Sequence, residues 1–420
     1  MPSSTPLQLV ARGRQDVYLT GEPQMTFFKQ VYRRYTPFAI ESIPIEFDGT
    51  PDFGRRISTV IPRKADLLSS LFLEVDLPVI PYTDEGSPVY WVNDIGHALI
   101  ESVSVEIGDK EIDKHTGEWL QVWSSLTTTG EKRDGFNEMV GHWNVYPPAT
   151  PVGSKLIIPL RFWFCDSIGN ALPLIALQAH PVRVIIHLRK FQELWWSEML
   201  PTPTPGQPCP QIPPVAPTRV QLFGDYVFLD TEERRRFAAA SHEYLITQLQ
   251  YTPIQSIPVN ITSVNVPLVF NHACKEFIWV IQQDRMRAAR EWFNFSNKLE
   301  ANGGEAGVVA EDQMESAIIR LDGYERFQRR GARYFRITQP YQRHTAIPND
   351  FIYLYSFSLH PEDEQPSGSI NCSKIDDIQL ALAMTNTPQM VQYDRTVVVY
   401  ATNYNVLRIV GGLGGLAFIT

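Results

Sequence analysis

At 420 residues the chain is long enough for two domains with cores of ordinary size. Its 44% hydrophobic and 20% charged residues exclude a disordered tail or a fibre, and a formal charge of −9 argues against a protein whose main task is wrapping nucleic acid. The 32 prolines favour turns and irregular connections over long helices.

Residues 1–39 read as an arm. Gln15-Asp-Val-Tyr-Leu-Thr-Gly-Glu-Pro-Gln-Met-Thr-Phe-Phe-Lys29 mixes turn signals with aromatics and continues into Val31-Tyr-Arg-Arg-Tyr-Thr36. Such a segment either docks on its own domain or is held by a neighbour. From Ile40 short strands follow one another: Ile43, Ile45 and Phe47 alternate in the first, and further strands are expected at 56–62, 71–77, 100–107, 156–164, 182–189 and 219–229. Turn-rich loops are expected at 78–98, 127–155 and 197–217, the last holding the polyproline-like run 201–217.

Asp230 to His242 (DTEERRRFAAASH) predicts a short linking helix. Asp230 is the N-cap, Glu233 completes a capping box, and Glu232 and Arg236 are spaced for an i,i+4 ion pair. Arg234, Arg235 and Arg236 are read as a solvated helix face paired to Glu232 and Glu233, in preference to a nucleic-acid patch. Beyond it, strands are expected at 244–251, 263–270, 276–283, 316–321, 333–338, 351–359, 376–384 and 395–409, with a helix allowed over Arg285 to Ala301.

The halves repeat. Ile100-Glu-Ser-Val-Ser-Val-Glu-Ile-Gly-Asp109 matches Met314-Glu-Ser-Ala-Ile-Ile-Arg-Leu-Asp-Gly323, each a strand running into a tight turn. Val182–Leu188 matches Asp377–Ala383, and Asp225–Leu229 matches Asn403–Leu407, in the same order. The pattern predicts an all-β chain: two tandem eight-stranded jelly rolls with a short linking helix and long loops. The expected divisions are an N-terminal arm at 1–39, a first jelly roll at 40–230, the linking helix at 231–243 and a second jelly roll at 244–420.

A search for chemistry finds no constellation. His242-Glu243 opens like a zinc-protease HExxH but lacks the second His, no HxH pair or GxSxG elbow occurs, and Gly412–Ala417 has no helix after it to receive a pyrophosphate. That glycine-rich run is read as a flexible or closely packed C-terminal turn. Asp376-Asp377 are neighbours on a strand edge pointing to opposite faces, and Trp195-Trp196 are expected to be partly buried at the foot of the Pro-rich loop. The cysteines Cys165, Cys209, Cys274 and Cys372 form no CxxC, so reduced buried thiols and a cytosolic folding compartment are expected. The first residues carry no apolar core of signal-peptide length, and the run Ile409 to Ile419 is too short to span a bilayer. Without a secretory signal the sequons at Asn260, Asn294 and Asn371 are read as chance matches. No catalytic residue, cofactor or metal site is expected.

Several stretches resemble one family. Gln15–Lys29 with Val31–Thr36 looks like the amino-terminal signature of the major capsid proteins of nucleocytoplasmic large double-stranded DNA viruses of algae and amoebae. Asp225-Tyr-Val-Phe-Leu-Asp-Thr-Glu-Glu-Arg-Arg-Arg-Phe-Ala238 with Ser241–Ile246, then Pro366–Asp376, then Tyr400–Ile409, resemble their middle and carboxy-terminal parts. The resemblance implies a homotrimeric, pseudo-hexameric capsomer that tiles an icosahedral shell. It also implies an arm at the base of the shell that touches neighbouring capsomers and minor capsid proteins. Gln15, Asp16, Tyr18, Phe27, Phe28, Tyr32, Arg33 and Arg34 are the interface residues it suggests. No direct nucleic-acid contact is implied. Outer loops are candidate carriers of glycans, and the location implied is the virion, with synthesis and assembly in the host cytoplasm. The chain is short for this group, which fits abbreviated outer loops or a minor capsid paralogue. A glycan- or receptor-binding jelly-roll surface protein is the alternative of a different class, and a metal-dependent jelly-roll enzyme a third.

Overall fold

Strands form here because apolar and polar residues alternate, and successive side chains leave a strand on opposite faces. In β3 (Leu67–Leu77), Leu71, Leu73, Val75 and Leu77 point inward and are at most 4% exposed, while Phe72, Glu74 and Asp76 between them are half-buried. A computed structural model describes residues 13–82, 88–144, 147–148, 153–197, 212–300, 309–387 and 392–419; most of the Pro-rich run, with Cys209, lies outside the described residues. The chain divides into an amino-terminal unit ending at Pro37 and a body running from Phe38 to Thr420.

Within the body, β1 (Phe38–Ile45), β2 (Arg56–Val60), β3, β4 (Ile100–Ile107), β5 (Lys110–Thr116), β6 (Ser154–Pro159), β7 (Val182–Leu188) and β8 (Arg219–Leu229) build two antiparallel sheets. Their orders are β1-β8-β3-β6 and β2-β7-β4-β5. The second half supplies β9 (His242–Tyr251), β10 (Ser263–Pro267), β11 (Ala273–Gln283), β12 (Met314–Leu321), β13 (Tyr324–Glu325), β14 (Tyr353–Ser356), β15 (Ile378–Met384) and β16 (Arg395–Val410). They pair as β9-β16-β11-β14 and β10-β15-β12-β13, with a few short strands at the margins. Adding eight to each label of the first pair of sheets gives the second pair. This order, in which spatial neighbours are far apart in sequence, is that of a jelly roll, and the chain carries it twice.

The three sequence matches fall on equivalent strands: β4 with β12, β7 with β15, and β8 with β16. The tight turns match as well. Gly108 and Asp109 (φ +58° and +62°) close the first hairpin, and Asp322 and Gly323 (φ +49° and +80°) close the second. Left-handed φ at both central residues is the geometry that fits a two-residue hairpin to the twist of its strands. At position 108 glycine is also required by space, since a Cβ there would lie 2.4 Å from the His180 ring.

Each sandwich has its own apolar interior. Leu73, Val103, Ile158 and Val184 belong to the first, and Phe277, Trp279, Ile319, Leu380 and Val399 to the second; all are 1% exposed or less. The C-terminal turn is closely packed: Leu413–Leu416 pairs with the end of β16, and Ala179 N–H donates to Gly412 O at 3.0 Å.

Several expectations are corrected. The loop expected at 127–155 contains helix α2 (Gly130–Val140), preceded by α1 (Gly117–Thr127), whose N-cap Thr116 Oγ1 accepts from Trp119 N at 3.2 Å. The strand expected over 156–164 ends at Pro159, and Trp163–Asp166 is a helical turn. The strand expected at 333–338 is helical: Tyr334–Thr338 forms a wide turn running into Gln339–Arg343. Tertiary packing overrides β-propensity there, because Phe335 lies against Trp279 (5.1 Å between rings) and Gln339 Oε1 accepts from Ser356 N–H at 3.2 Å. The helix allowed over 285–301 is confined to Asp284–Ala288; Arg290 then turns left-handed at φ +63°. Asp376 and Asp377 precede β15, and both backbone N–H groups donate to Asp322 Oδ1 at 3.0 Å, closing the base of the hairpin beside them.

Linking helix α3 (Thr231–Ala239) starts where expected, but Asp230 caps Glu232 N–H, and its only ion pair with a glutamate among the described residues joins Arg235 to Glu232 at 3.8 Å. Arg234 instead grips Asp66 with two contacts, at 2.9 and 3.0 Å, and Asp66 also accepts from Leu229 N–H at 2.8 Å. The helix is therefore tied to the loop that enters β3.

Candidate assembly surface

The amino-terminal unit cannot bury its own aromatics. Its helical turn among the described residues, Val17–Thr20, has no buried residue, and all eight suggested interface residues are exposed. Tyr18 is 94%, Phe27 88% and Phe28 99% exposed, with Leu19, Val31, Tyr32 and Tyr35 in the same condition. Local polar contacts shape the segment: Asp16 Oδ2 accepts from Gly13 N–H at 2.7 Å, and Thr26 Oγ1 accepts from Phe28 N–H at 3.3 Å. A run of exposed aromatics with arginines 33 and 34 beside it has the chemistry of an interface, where aromatic residues and arginine are enriched. In the body, β1 is the outer strand of its sheet, and Phe38 through Ser42 are exposed on both of its faces. An uncovered edge with apolar residues is a surface for another chain.

Within the body the two sandwiches are locked together. Helix α1 leaves the first sandwich and lies on the outer face of β11 and β16: Trp119, Val122 and Leu126 pack with Ile278, Val280, Leu354, Val398 and Tyr400. Trp119 stacks on Trp123 and meets Tyr400, both at 5.3 Å. A reciprocal clasp adds to it. The Arg290 guanidinium sits 3.9 Å over the Trp195 ring, the Arg189 guanidinium 3.9 Å over the Trp292 ring, and Trp292 Nε1–H donates to Glu193 O at 3.0 Å. Trp195 and Trp196 pair with Tyr90 and Trp91 and are 2% and 3% exposed, deeper than the partial burial expected of them.

Two polar clusters occupy the joint. His344 is enclosed between Glu276 (2.8 Å from Nε2) and Glu362 (2.9 Å from Nδ1), under the edge of Trp123. Burial alone would lower its pKa, but the charge and hydrogen bond of Glu276, with those of Glu362, raise it to about 9, so the ring is a cation at neutral pH. Burial pushes Glu362 up, but its bonds from His344 and Thr345 outweigh that and hold it below the usual range. The second cluster lines a cavity of about 310 Å³ that includes Asp94, Arg133, His142, Glu300 and Asp350. Burial raises the pKa of Asp350 and of Glu300, while His142 is raised because its bond to Asp94 (3.0 Å) outweighs burial. Ser125 Oγ–H donates to Asp350 at 2.9 Å and Arg133 donates to Ser125 O at 2.8 Å. These groups fasten α1 and α2 to the loop before β14. Among the described residues no group of three His, Cys, Asp or Glu could hold a metal ion, and no helix is long and apolar enough to cross a membrane.

The joint was not foreseen. Trp119, Leu120, Trp123 and Leu126 recur at helical spacing and carried the signal for α1. Nothing local marks Glu276, His344 and Glu362, which are brought together over 86 residues.

Two jelly rolls fused by a buried joint, with an exposed aromatic arm, define a shell-building class of protein, whose working parts are surfaces. The comparisons name the class more closely. Residues 26–230 match the family model described as the major capsid protein N-terminus, and residues 233–415 match that of the large eukaryotic DNA virus major capsid protein. The chain is 39% identical to the major capsid protein of Pyramimonas orientalis virus, over 98% of each chain. It is 36% identical to that of Phaeocystis pouchetii virus, over 98% of this chain and 99% of the relative, in an alignment of 516 positions that gives the relative insertions this chain lacks. A chain of the quasi-atomic model of the PBCV-1 virus capsid superimposes with a TM-score of 0.79 at 33% identity, covering 94% of this chain and 100% of that one. The chain belongs to the major capsid protein family of large eukaryotic DNA viruses. It is a structural component of the viral capsid and not an enzyme.

Proposed function

We propose that three copies of this chain form a capsomer with a pseudo-hexagonal outline, and that such capsomers tile an icosahedral shell. The observation that carries this reading is the repeated strand order, β1-β8-β3-β6 with β2-β7-β4-β5 and again eight labels higher. Two similar lobes per chain around a three-fold axis give six, which pack hexagonally although the symmetry is only cyclic. The rigid joint supports it, because lobes that moved against each other would not hold a lattice. In this reading the arm at 1–39, the rolls at 40–230 and 244–420 and the linking helix at 231–243 are separate working parts. Gln15, Asp16, Tyr18, Phe27, Phe28, Tyr32, Arg33 and Arg34 contact neighbouring capsomers or minor proteins beneath the shell, outer loops are the place for glycans, and assembly takes place in the host cytoplasm.

The test is the mass of the purified protein in solution. Three chains of 47.9 kDa give a particle of about 144 kDa by light scattering or native mass spectrometry, whereas a monomer persisting at micromolar concentration overturns the reading. Replacing Phe27 and Phe28 with serine should leave that trimer intact and weaken its association into larger arrays. Arrays that form as readily as those of the wild type would remove the arm from the interface.

A further inference from the structure

Two of the cysteines lie together in the second jelly roll. Cys274 is near the start of β11, and Cys372 follows the short strand Ile370–Asn371, which pairs antiparallel with that start. The register sets Ala273 opposite Asn371 and Cys274 opposite Ile370, and Cys372 N–H donates to His272 O at 2.8 Å. Cys274 and Cys372 therefore stand diagonally across one ladder, an even number of positions apart, and project from the same face. Both belong to the core of the second sandwich, at 0% and 2% exposure, both are unbridged, and the Cys274 thiol meets the Cys372 sulfur.

We propose that Cys274 and Cys372 form a redox-set disulfide that staples the connection between β14 and β15 to β11. The oxidant required is a low-molecular-weight disulfide of the glutathione type. The thiolate of Cys372 attacks one sulfur of that disulfide and expels one thiolate, leaving a mixed disulfide. The thiolate of Cys274 then attacks the Cys372 sulfur and expels the second. Two protein S–H bonds are lost and one S–S bond forms. The two protons end on the two released thiols, and the oxidant takes up two electrons.

Cys372 is the first nucleophile because of where it sits. Asn371, Ser373 and Lys374 on either side of it are exposed, so a local opening of this short turn, in which His272 N–H donates to Ser373 Oγ at 2.7 Å, delivers its sulfur to solvent. Cys274 lies within a central strand, where its contact with Cys372 and its burial both hold its thiol protonated. The bond would link positions 98 residues apart in sequence, a long loop whose closure restricts the unfolded chain. The staple is open in a reducing medium and closed in an oxidising one, and this holds whether or not three chains associate.

The experiment exposes the folded full-length protein to oxidised glutathione, then denatures it, alkylates free thiols and maps the peptides. The expected result is a mass loss of about 2 Da, a peptide pair joining Cys274 to Cys372, and a melting temperature higher by about 5 °C that dithiothreitol reverses. In Cys372→Ala the pair and the shift should both vanish while Cys274 stays alkylatable. Full alkylation of both thiols in the oxidised wild type overturns the proposal without recourse to any variant. So does a bond from either one to Cys165 or Cys209 instead.

Discussion

Raising the pH should loosen the joint through one histidine. His344 and Glu276 are fully enclosed, and the folded protein holds the imidazole's pKa at about 9 against an ordinary 6.5. A group whose folded pKa is raised contributes its full stability below the unfolded value and loses it as the pH climbs through the folded one. The window is therefore about pH 6.5 to 9. At ~1.36 kcal/mol per unit the amount is about 3 kcal/mol. Other groups titrate in the same window, His142 among them, so the wild type alone does not isolate the effect. The double substitution His344→Gln with Glu276→Gln keeps shape and hydrogen bonding and removes both charges. Urea denaturation of both proteins at pH 6 and pH 9.5 should show the wild type losing about 3 kcal/mol more than the variant. Losses equal to within about 0.5 kcal/mol would refute the assignment of His344 as a buried cation.

Truncating Trp119 to alanine removes a buried indole of α1 from between Trp123 and Tyr400 and should cost about 3–5 kcal/mol, seen as a lower denaturation midpoint. Gly108→Ala should destabilise by about 3 kcal/mol or more, because the new Cβ meets the His180 ring, whereas Gly323→Ala, with open space around it, should cost about 1 kcal/mol of backbone strain. Equal costs at the two turns would show that strain alone governs both. Arg234→Ala leaves Asp66 with one backbone partner and should cost about 2 kcal/mol, read as a lower denaturation midpoint.

The elements legible in the sequence were those whose signal is local. β3 and β4 alternate strongly enough to be placed from residue types, β8 and β16 are placed by their β-branched and aromatic residues, and the Gly-Asp and Asp-Gly pairs at 108–109 and 322–323 mark turns that need left-handed backbone. β5 was missed because Lys110-Glu-Ile-Asp-Lys-His-Thr116 reads as charged surface. The structure buries Asp113 and His115 by pairing them with each other at 3.0 Å, and Asp113 also accepts from Leu249 N–H in the second half. The hairpin turn just before it was the available clue. The helical stretch after Arg333 was missed for the opposite reason, since its residues prefer strands and a distant tryptophan decides otherwise.

By itself the sequence determined a β-rich chain, the order of most strands and the linking helix, because each depends on residues within one turn or one strand of one another, and the duplication, because such local patterns recur in the same order. Only the tertiary structure decided that α1 crosses onto the second sandwich, that His344 is held between two glutamates, and that Cys274 meets Cys372. Those contacts join residues tens to hundreds of positions apart, and burial gives them their chemistry: the same histidine or thiol in an unfolded chain would titrate as it does in water.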